Sequence, residues 1–442
     1  MNSMTRIHRT LFYILLILLP TQIGLHFWPS WSFVLGRRVD YLSPTLFLTD
    51  IIVVALLICW FFDSLSVFRN KKKIHTIINR SPLVFLTLGV FICFIIDNIM
   101  HAVNVPVAIY AWIKFFEYAV LGLYIVKTKP AVNIVSLCLG AAMFYSSVIA
   151  ISQFFLRHSV GGVLWWIGER TFSLETPGIA KIALCNLTRL SCPIFLRPYA
   201  TLPHPNVLGG FLGVVLLLVG TTDFEAFKKI IPRRVHIDHL IFLFLQWILL
   251  IVGAASLILT FSRSAWAMVL LASAAVLILR HLNKQKVRVL LIGILIFFAV
   301  VIFYIFSAHF SDESLVVREQ LNNAALSIIQ AHPLVGVGLG NFLVALPTFI
   351  PSRQIYFLQP VHNIYLLFIS EVGFFGVMLF TLICYVLMTN LRKFCKAGET
   401  ANERFAIRIS LLGLLFVGLI DHYSVTVQQG QLLLTLLISM SV

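Results

Sequence analysis

A polytopic, all-α membrane protein is the fold class this sequence predicts. Three observations predict it. Of 442 residues, 60% are apolar and only 11% are charged; the mean hydropathy is +0.97; and long runs without charge recur along the whole chain. A soluble globular chain carries about 25% charged and about 45–50% apolar residues. These values exclude a soluble fold, a disordered chain and a disulfide-stapled secreted domain.

A hydrocarbon core about 30 Å thick takes about 20 helical residues. On that rule the sequence predicts twelve spans, near 11–28, 44–62, 82–100, 106–126, 132–156, 205–222, 238–261, 265–280, 288–306, 362–391, 406–422 and 425–442. The first follows Arg6 and Arg9, contains Pro20 and shows no small-residue cleavage pattern before Trp28, so it reads as an uncleaved helix. Residues 1–442 thus read as one transmembrane helical domain. Two longer segments, 157–203 and 307–361, lie outside the bilayer. In the second, Leu315, Leu321, Ala325, Ile328 and Ile329 recur at helical spacing before His332-Pro333, which predicts a short amphipathic helix.

Placing the N-terminus in the cytoplasm puts 22 of the 33 Lys and Arg residues inside, 10 outside and Lys114 within a span. That bias supports the orientation. It also accounts for most of the net charge of +16 as a topology signal. No basic cluster is interleaved with aromatic residues as a nucleic-acid platform requires, so the expected partner is the membrane and no nucleic acid. Cys59, Cys93, Cys138 and Cys384 fall in spans and Cys395 faces the cytoplasm. Cys185 and Cys192 lie on the oxidising side, as a loop disulfide or as two buried thiols.

Four polar clusters interrupt the apolar chain, and the span map puts all four at the outer face. Arg197-Pro-Tyr-Ala-Thr201-Leu-Pro-His204-Pro-Asn206 precedes the sixth span. It reads either as a proline-rich turn with Asn206 as helix cap, or as an anion site made by Arg197 and the helix N-terminus. Thr260-Phe-Ser262-Arg263-Ser264 links two long spans. An arginine there runs against the inside bias, and its planar fork of donors suits phosphate better than simple snorkelling to the interface. Arg318, on the amphipathic helix, is a candidate second clamp. The run from His332 through Gly336, Gly338, Gly340 and Asn341 has glycines spaced to form a backbone anion nest or a plain turn.

The fourth cluster is His362-Asn363, continuing to Glu371 and Gly373. An imidazole with a reference pKa near 6.5 suits general-base work at neutral pH. Lys114 and Glu117, three apart on one span, form an intrahelical pair, with Asp97 at similar depth. They read as a structural network or as a proton or substrate path. Arg37, Arg38, Asp40, Asp421 and His422 stand at the site rim.

Taken in order, Arg197 to Thr201 with His204-Pro205-Asn206, Ser262-Arg263, His332-Pro333 with Gly336 to Phe342, and His362-Asn363 with Glu371 and Gly373 resemble the O-antigen ligase and O-antigen polymerase family. The resemblance covers about residues 190 to 380, with Ser264 where a glycine is expected. It implies a GT-C-like membrane glycosyltransferase of the bacterial cytoplasmic membrane, taking its glycan from a polyprenyl (undecaprenyl) pyrophosphate donor. A ligase passes the glycan to a lipid A core sugar, and a polymerase passes it to another lipid-linked repeat. The implied catalytic residues are Arg263 and His362. Arg197 and Arg318 would be further pyrophosphate ligands, and His204, Asn206, His332 and Asn363 would bind substrate.

The chemistry of the residues agrees with that resemblance. Arginines stabilise the charge of a pyrophosphate leaving group, and His362 activates an acceptor hydroxyl. No paired carboxylates stand at the outer face to hold a divalent metal or to act as a nucleophile. The expectation is therefore inversion without metal or other cofactor. A lipid-linked glycan flippase is the competing class, but it predicts midplane polar groups and paired halves.

Overall fold

The computed structural model describes residues 3–68, 82–184, 192–222, 228, 238–280, 312–350, 358–394 and 401–442. These residues are mostly helical, with three two-stranded ribbons among them in the connections between helices. The helices are α1 (Ser3–Ile17), α2 (Leu48–Phe68), α3 (Pro82–Met100), α4 (Val105–Thr128), α5 (Val132–Leu156), α6 (Pro205–Gly220) and α7 (His239–Leu259). They continue as α8 (Arg263–Arg280), α9 (Asp312–Ala331), α10 (Phe342–Phe349), α11 (Ile364–Phe394), α12 (Ala401–Val417), α13 (Tyr423–Thr426) and α14 (Gln428–Ser441). Strands β1 (Gly24–His26) and β4 (Thr45–Phe47) pair antiparallel, with Gly24 opposite Phe47; β2 (Phe33–Val34) pairs with β3 (Arg37–Arg38), and β5 (Lys181–Ala183) with β6 (Ile194–Leu196).

Among the described residues, five segments are long and apolar enough to cross a membrane: Leu48–Leu65, Val105–Thr128, Val132–Leu156, His239–Leu259 and Ile364–Val386. Leu86–Met100, Pro205–Gly220, Arg263–Val276 and Phe405–Val417 are shorter apolar helices. The run expected at 288–306 lies outside the described residues. Three other limits are corrected. The run at 11–28 is a helix only to Ile17, after which the chain turns through Pro20 and enters β1. The run at 44–62 opens as β4 before α2, because an apolar stretch serves a hairpin as well as a helix. The run at 425–442 divides at Val427 into α13 and a 14-residue α14, neither of which is among the candidate spans.

Consecutive long helices alternate in direction, so α1, α3, α5, α7 and α12 end where α2, α4, α6, α8, α11 and α14 begin. Hydrogen bonds tie this end of the bundle together. Thr201 Oγ1 donates to Pro20 O at 2.8 Å, Gln429 Nε2 to Thr21 O at 2.8 Å, and Ile364 N to Gly418 O at 2.8 Å. Helix α6 is the axis. Val207 through Val219 are buried, with α5, α7, α8 and α12 packed around them. Gly210 lets Tyr423 lie against it, since a Cβ there would overlap the phenol.

Helix α11 is broken at Gly373 (φ 66°, ψ 177°), which frees the backbone groups around the break. The loop 333–341 pairs with them. Val337 N donates to Ser370 O at 3.0 Å, Gly338 N to Glu371 O at 3.0 Å, and Phe374 N to Pro333 O at 2.8 Å. Asn98 adds a donor to the carbonyls of Val335 and Glu371, at 2.9 and 3.0 Å. Non-helical backbone at membrane depth is tolerated when its polar groups are satisfied by protein in this way.

Candidate active site

The site grows from the start of α6. His204 is the N-cap residue, extended at φ −154° and ψ 148°, and Pro205 follows in the first turn. Its Nδ1 accepts from Asn206 N at 3.2 Å, so the cap is His204 and not Asn206. That bond uses an N–H the sequence assigned to an anion, and leaves anion binding to side chains. Asn206 turns its amide outward as a bridge: Oδ1 accepts from Arg197 Nη2 at 2.8 Å, and Nδ2 donates to Asp421 Oδ2 at 2.8 Å.

Arg197 also donates through Nε to Thr260 O at 2.8 Å, anchoring it on the carbonyl end of α7. Two of its five donors are committed by these bonds. Burial, and behind it the charge of Arg263, lower its pKa to about 10 against the pull of Asp421. Arg263 is the first residue of α8, just past the buried link Thr260–Ser262. Arg318 reaches from α9 and donates through Nη1 to Ile420 O at 2.9 Å.

Asp421 is buried at the centre. Besides the Asn206 amide it accepts the backbone N–H of His422 at Oδ1, at 2.8 Å. Burial opposes its ionisation, but the surrounding imidazoles and Asn206 outweigh burial and hold the carboxyl below its usual range. His422 Nδ1 lies 2.7 Å from Thr426 Oγ1, and that hydroxyl donates to His422 O at 3.0 Å. The hydroxyl has one proton, so His422 donates from Nδ1 and keeps its lone pair on Nε2.

His362 stands just before α11, its ring centroid 5.0 Å from that of His422 at 73°. Its Nδ1 is buried without a hydrogen-bond partner, so proton acceptance falls to Nε2. Burial first, then the charges of His422 and Arg318, lower its pKa to about 4, which leaves a neutral imidazole at neutral pH. His204 is pushed the same way, chiefly by desolvation, although its surface is open to solvent. A side chain both exposed and crowded by protein lines the wall of a recess. Tyr41, 42% exposed, has the same character; its ring meets His422 edge-on at 5.6 Å, and burial with the charge of Asp421 raises its pKa to about 12.

The structure therefore gathers Arg197, His204, Asn206, Arg318 and His362, with Arg263 close enough to act on Arg197. Asp421 and His422, read as rim residues, are its centre. Two expected residues stand apart. His332 is exposed at the end of α9 with its ring against Phe349, at 6.4 Å. Asn363 caps α11, its Oδ1 accepting from Tyr365 N and Leu366 N at 2.9 and 3.1 Å. The expected glycine nest is a nest, but its occupant is internal. The N–H groups of Gly340 and Phe342 donate to the carboxyl group of Glu371.

Tyr41 and Arg170 were not singled out by sequence. Arg170 donates to Pro203 O at 2.8 Å and lies over the Tyr199 ring at 5.5 Å, and Tyr199 meets His204 edge-on at 6.0 Å. The signal available for Arg170 was its place among the few outer arginines; Tyr41 carried none. Lys114 does pair with Glu117, at 2.6 Å, and also with Asp50, at 2.8 Å. Asp97 instead pairs with His101 at an exposed position, at 3.0 Å. Cys192 is disulfide-bonded, whereas Cys185 lies outside the described residues.

Residues 248–381 match a protein-family model described as O-antigen ligase. No curated protein and no solved structure matches the chain. The matched segment holds Arg263, Arg318 and His362, and leaves Arg197, His204, Asn206, Asp421 and His422 outside it. Over that segment, about a third of its length, the chain is similar to the O-antigen ligase family.

Proposed function

We propose that this protein is a membrane glycosyltransferase that moves a glycan from a polyprenyl pyrophosphate to an acceptor hydroxyl at the outer face of the bacterial cytoplasmic membrane. The observation that carries the reading is His362, its ring 5.0 Å from that of His422, in one cluster with Arg318 on Ile420 O and with Arg197, which Asn206 bridges to Asp421. A pyrophosphate held by Arg197, Arg263 and Arg318 has its charge matched by guanidinium donors in a setting partly shielded from water.

The step balances without another reactant. The acceptor oxygen attacks the anomeric carbon and donates its proton to His362 Nε2, while the bond to the pyrophosphate oxygen breaks and the lipid pyrophosphate leaves with that electron pair. Attack opposite the leaving group inverts the anomeric centre. Asp421 accepts the backbone N–H of His422 and, through Asn206, holds Arg197 in place for the pyrophosphate. In this reading the charge on the leaving group is met by arginine and no metal is required.

Purified protein with a lipid-linked glycan and alternative acceptors provides the test. His362→Ala should lose a factor on the order of 10² to 10⁴ in transfer, with donor affinity nearly kept. Arg263→Ala should lose donor affinity as well. Wild-type turnover by His362→Ala, or equal loss of donor affinity in both variants, would make His362 a pyrophosphate ligand. Activity lost to a chelator and restored by magnesium would refute the metal-free step. Transfer to a core sugar identifies a ligase, transfer to a second lipid-linked repeat a polymerase, and translocation without transfer a flippase.

A further inference from the structure

The lipid-facing surface of the bundle continues beyond the helices. On α2, exposed Ile51, Val54, Ile58, Phe61 and Leu65 recur every three or four residues and form one stripe. On α5, exposed Leu137, Phe144, Val148 and Phe155, spaced seven, four and seven apart, fall on one face. Both helices are among the candidate spans, so these stripes face acyl chains.

Between them packs α1, with only 15 residues. At 1.5 Å per residue it rises about 22 Å, short of a hydrocarbon core about 30 Å thick. The structure that covers its C-terminal end is apolar on its outer side. The β1–β4 hairpin exposes Leu25 and Leu46, with Phe27 just beyond β1. The 3₁₀ turn Gly162–Ile167 exposes Val163 at 78%, Trp165 at 59% and Trp166 at 72%.

The two pieces form one surface. Thr21 Oγ1 donates to Ile167 O at 2.7 Å, and Gly168 lies so close to the Gln22 backbone that a Cβ would clash. Leu164 and Ile167, from the same turn, pack into the core and fix which side faces out. The start of the turn is pinned from within: buried Glu169 accepts the N–H groups of Val160 and Gly161 at 2.7 Å each, and the Gln153 amide at 2.8 Å.

We propose that the β1–β4 hairpin and residues 160–167 form a shelf that rests in the headgroup and acyl boundary of the leaflet on the recess side, with phospholipid as its partner. Its continuity with the α2 and α5 stripes names the occupant. Paired indoles, apolar in body with an N–H at the edge, suit that layer. The shelf also sets a level, because Arg170, whose guanidinium reaches Pro203 beside His204, follows Ile167 by three residues. The basic recess is thereby held at headgroup height. This inference rests on the membrane reading and is independent of glycan transfer.

The full chain reconstituted in phosphatidylcholine bilayers tests it, using lipids brominated near the headgroup or near the chain end and iodide as aqueous quencher. The emission lost in Trp165→Phe/Trp166→Phe, relative to wild type, reports the pair. Headgroup-side bromine should quench that difference at least about twofold more than chain-end bromine or iodide, as an interfacial depth of about 5–10 Å requires. Stronger quenching by iodide would place the pair in water and overturn the proposal. Shielding from all three quenchers would place a second copy or another protein on the shelf and overturn it too. The single substitutions Trp165→Phe and Trp166→Phe give the same readout should the double variant not fold.

Discussion

Asn206 donates to Asp421 at 2.8 Å with the same side chain that accepts from Arg197, so a carboxylate on one side of the recess and a guanidinium on the other are held by a single amide. Replacing it with alanine removes both bonds. A hydrogen bond to a charged group contributes about 1.5–3 kcal/mol, which is about 10- to 100-fold in a rate or binding constant. Asn206→Ala should lower kcat/KM for the donor by that order. Asn206→Asp should do worse, since it sets a second carboxylate against Asp421. Unchanged kinetics in both would show that the bridge is dispensable.

The pH profile separates a buried from an ordinary histidine. Burial depresses His362 to about 4, and only the neutral ring accepts a proton. For a depressed base the working form is present above its pKa and is lost as pH falls through it. In the donor-free enzyme, kcat/KM should therefore stay level from pH 8 down to about 5 and fall below that. A bound pyrophosphate favours the imidazolium, so the fall in kcat should come at higher pH than the fall in kcat/KM. Coincident falls near pH 6.5 would contradict a buried base.

Arg263→Lys keeps the charge and removes the fork. A guanidinium can grip two phosphate oxygens at once, while an ammonium acts as a point charge. The lysine variant should lose donor affinity and turnover at normal protein level. Wild-type transfer would mean that Arg263 contributes charge alone.

Gly373 is the conformational hinge of α11. Its φ of 66° with ψ of 177° is open essentially to glycine alone, and a Cβ would overlap the Leu334 carbonyl. Gly373→Ala should lower the thermal midpoint markedly in detergent, by strain of about 1–3 kcal/mol plus that overlap. Gly36→Ala, at φ 75° with open space around it, should show the backbone cost only. Equal midpoints for the two variants would refute the close packing of the 333–341 loop on the break.

The orientation is testable apart from catalysis. Glu175→Cys, on the exposed surface of the 157–203 segment, should react with an impermeant thiol reagent in intact cells, and Lys228→Cys only after permeabilisation. The reverse pattern would invert the assignment of faces.

Much of the recess was legible because a charge or imidazole in an apolar chain needs a reason. Arg263 and His362 stood out on that ground, and the amphipathic α9 was visible from its period. Other parts depend on contacts far apart in sequence. Nothing near Gly340 announces that Glu371, 31 positions later, will fill its nest, and nothing near Tyr41 announces His422. The run at 11–28 misled for a different reason. Hydropathy records what a segment avoids, and the β1–β4 hairpin at the lipid boundary avoids water as a helix does.

The boundary of the matched domain runs through the recess. Residues 248–381 bring Arg263, Arg318 and His362, while Arg197 and the residues that hold it, Asn206 and Asp421, lie in flanking segments. Grafting the domain alone onto another bundle would carry Arg263, Arg318 and His362 without Arg197 and its Asn206–Asp421 bridge. The heritable unit of this site is therefore larger than its most recognisable segment, and chimaeras should exchange α6, α8, α11 and the Asp421 turn together.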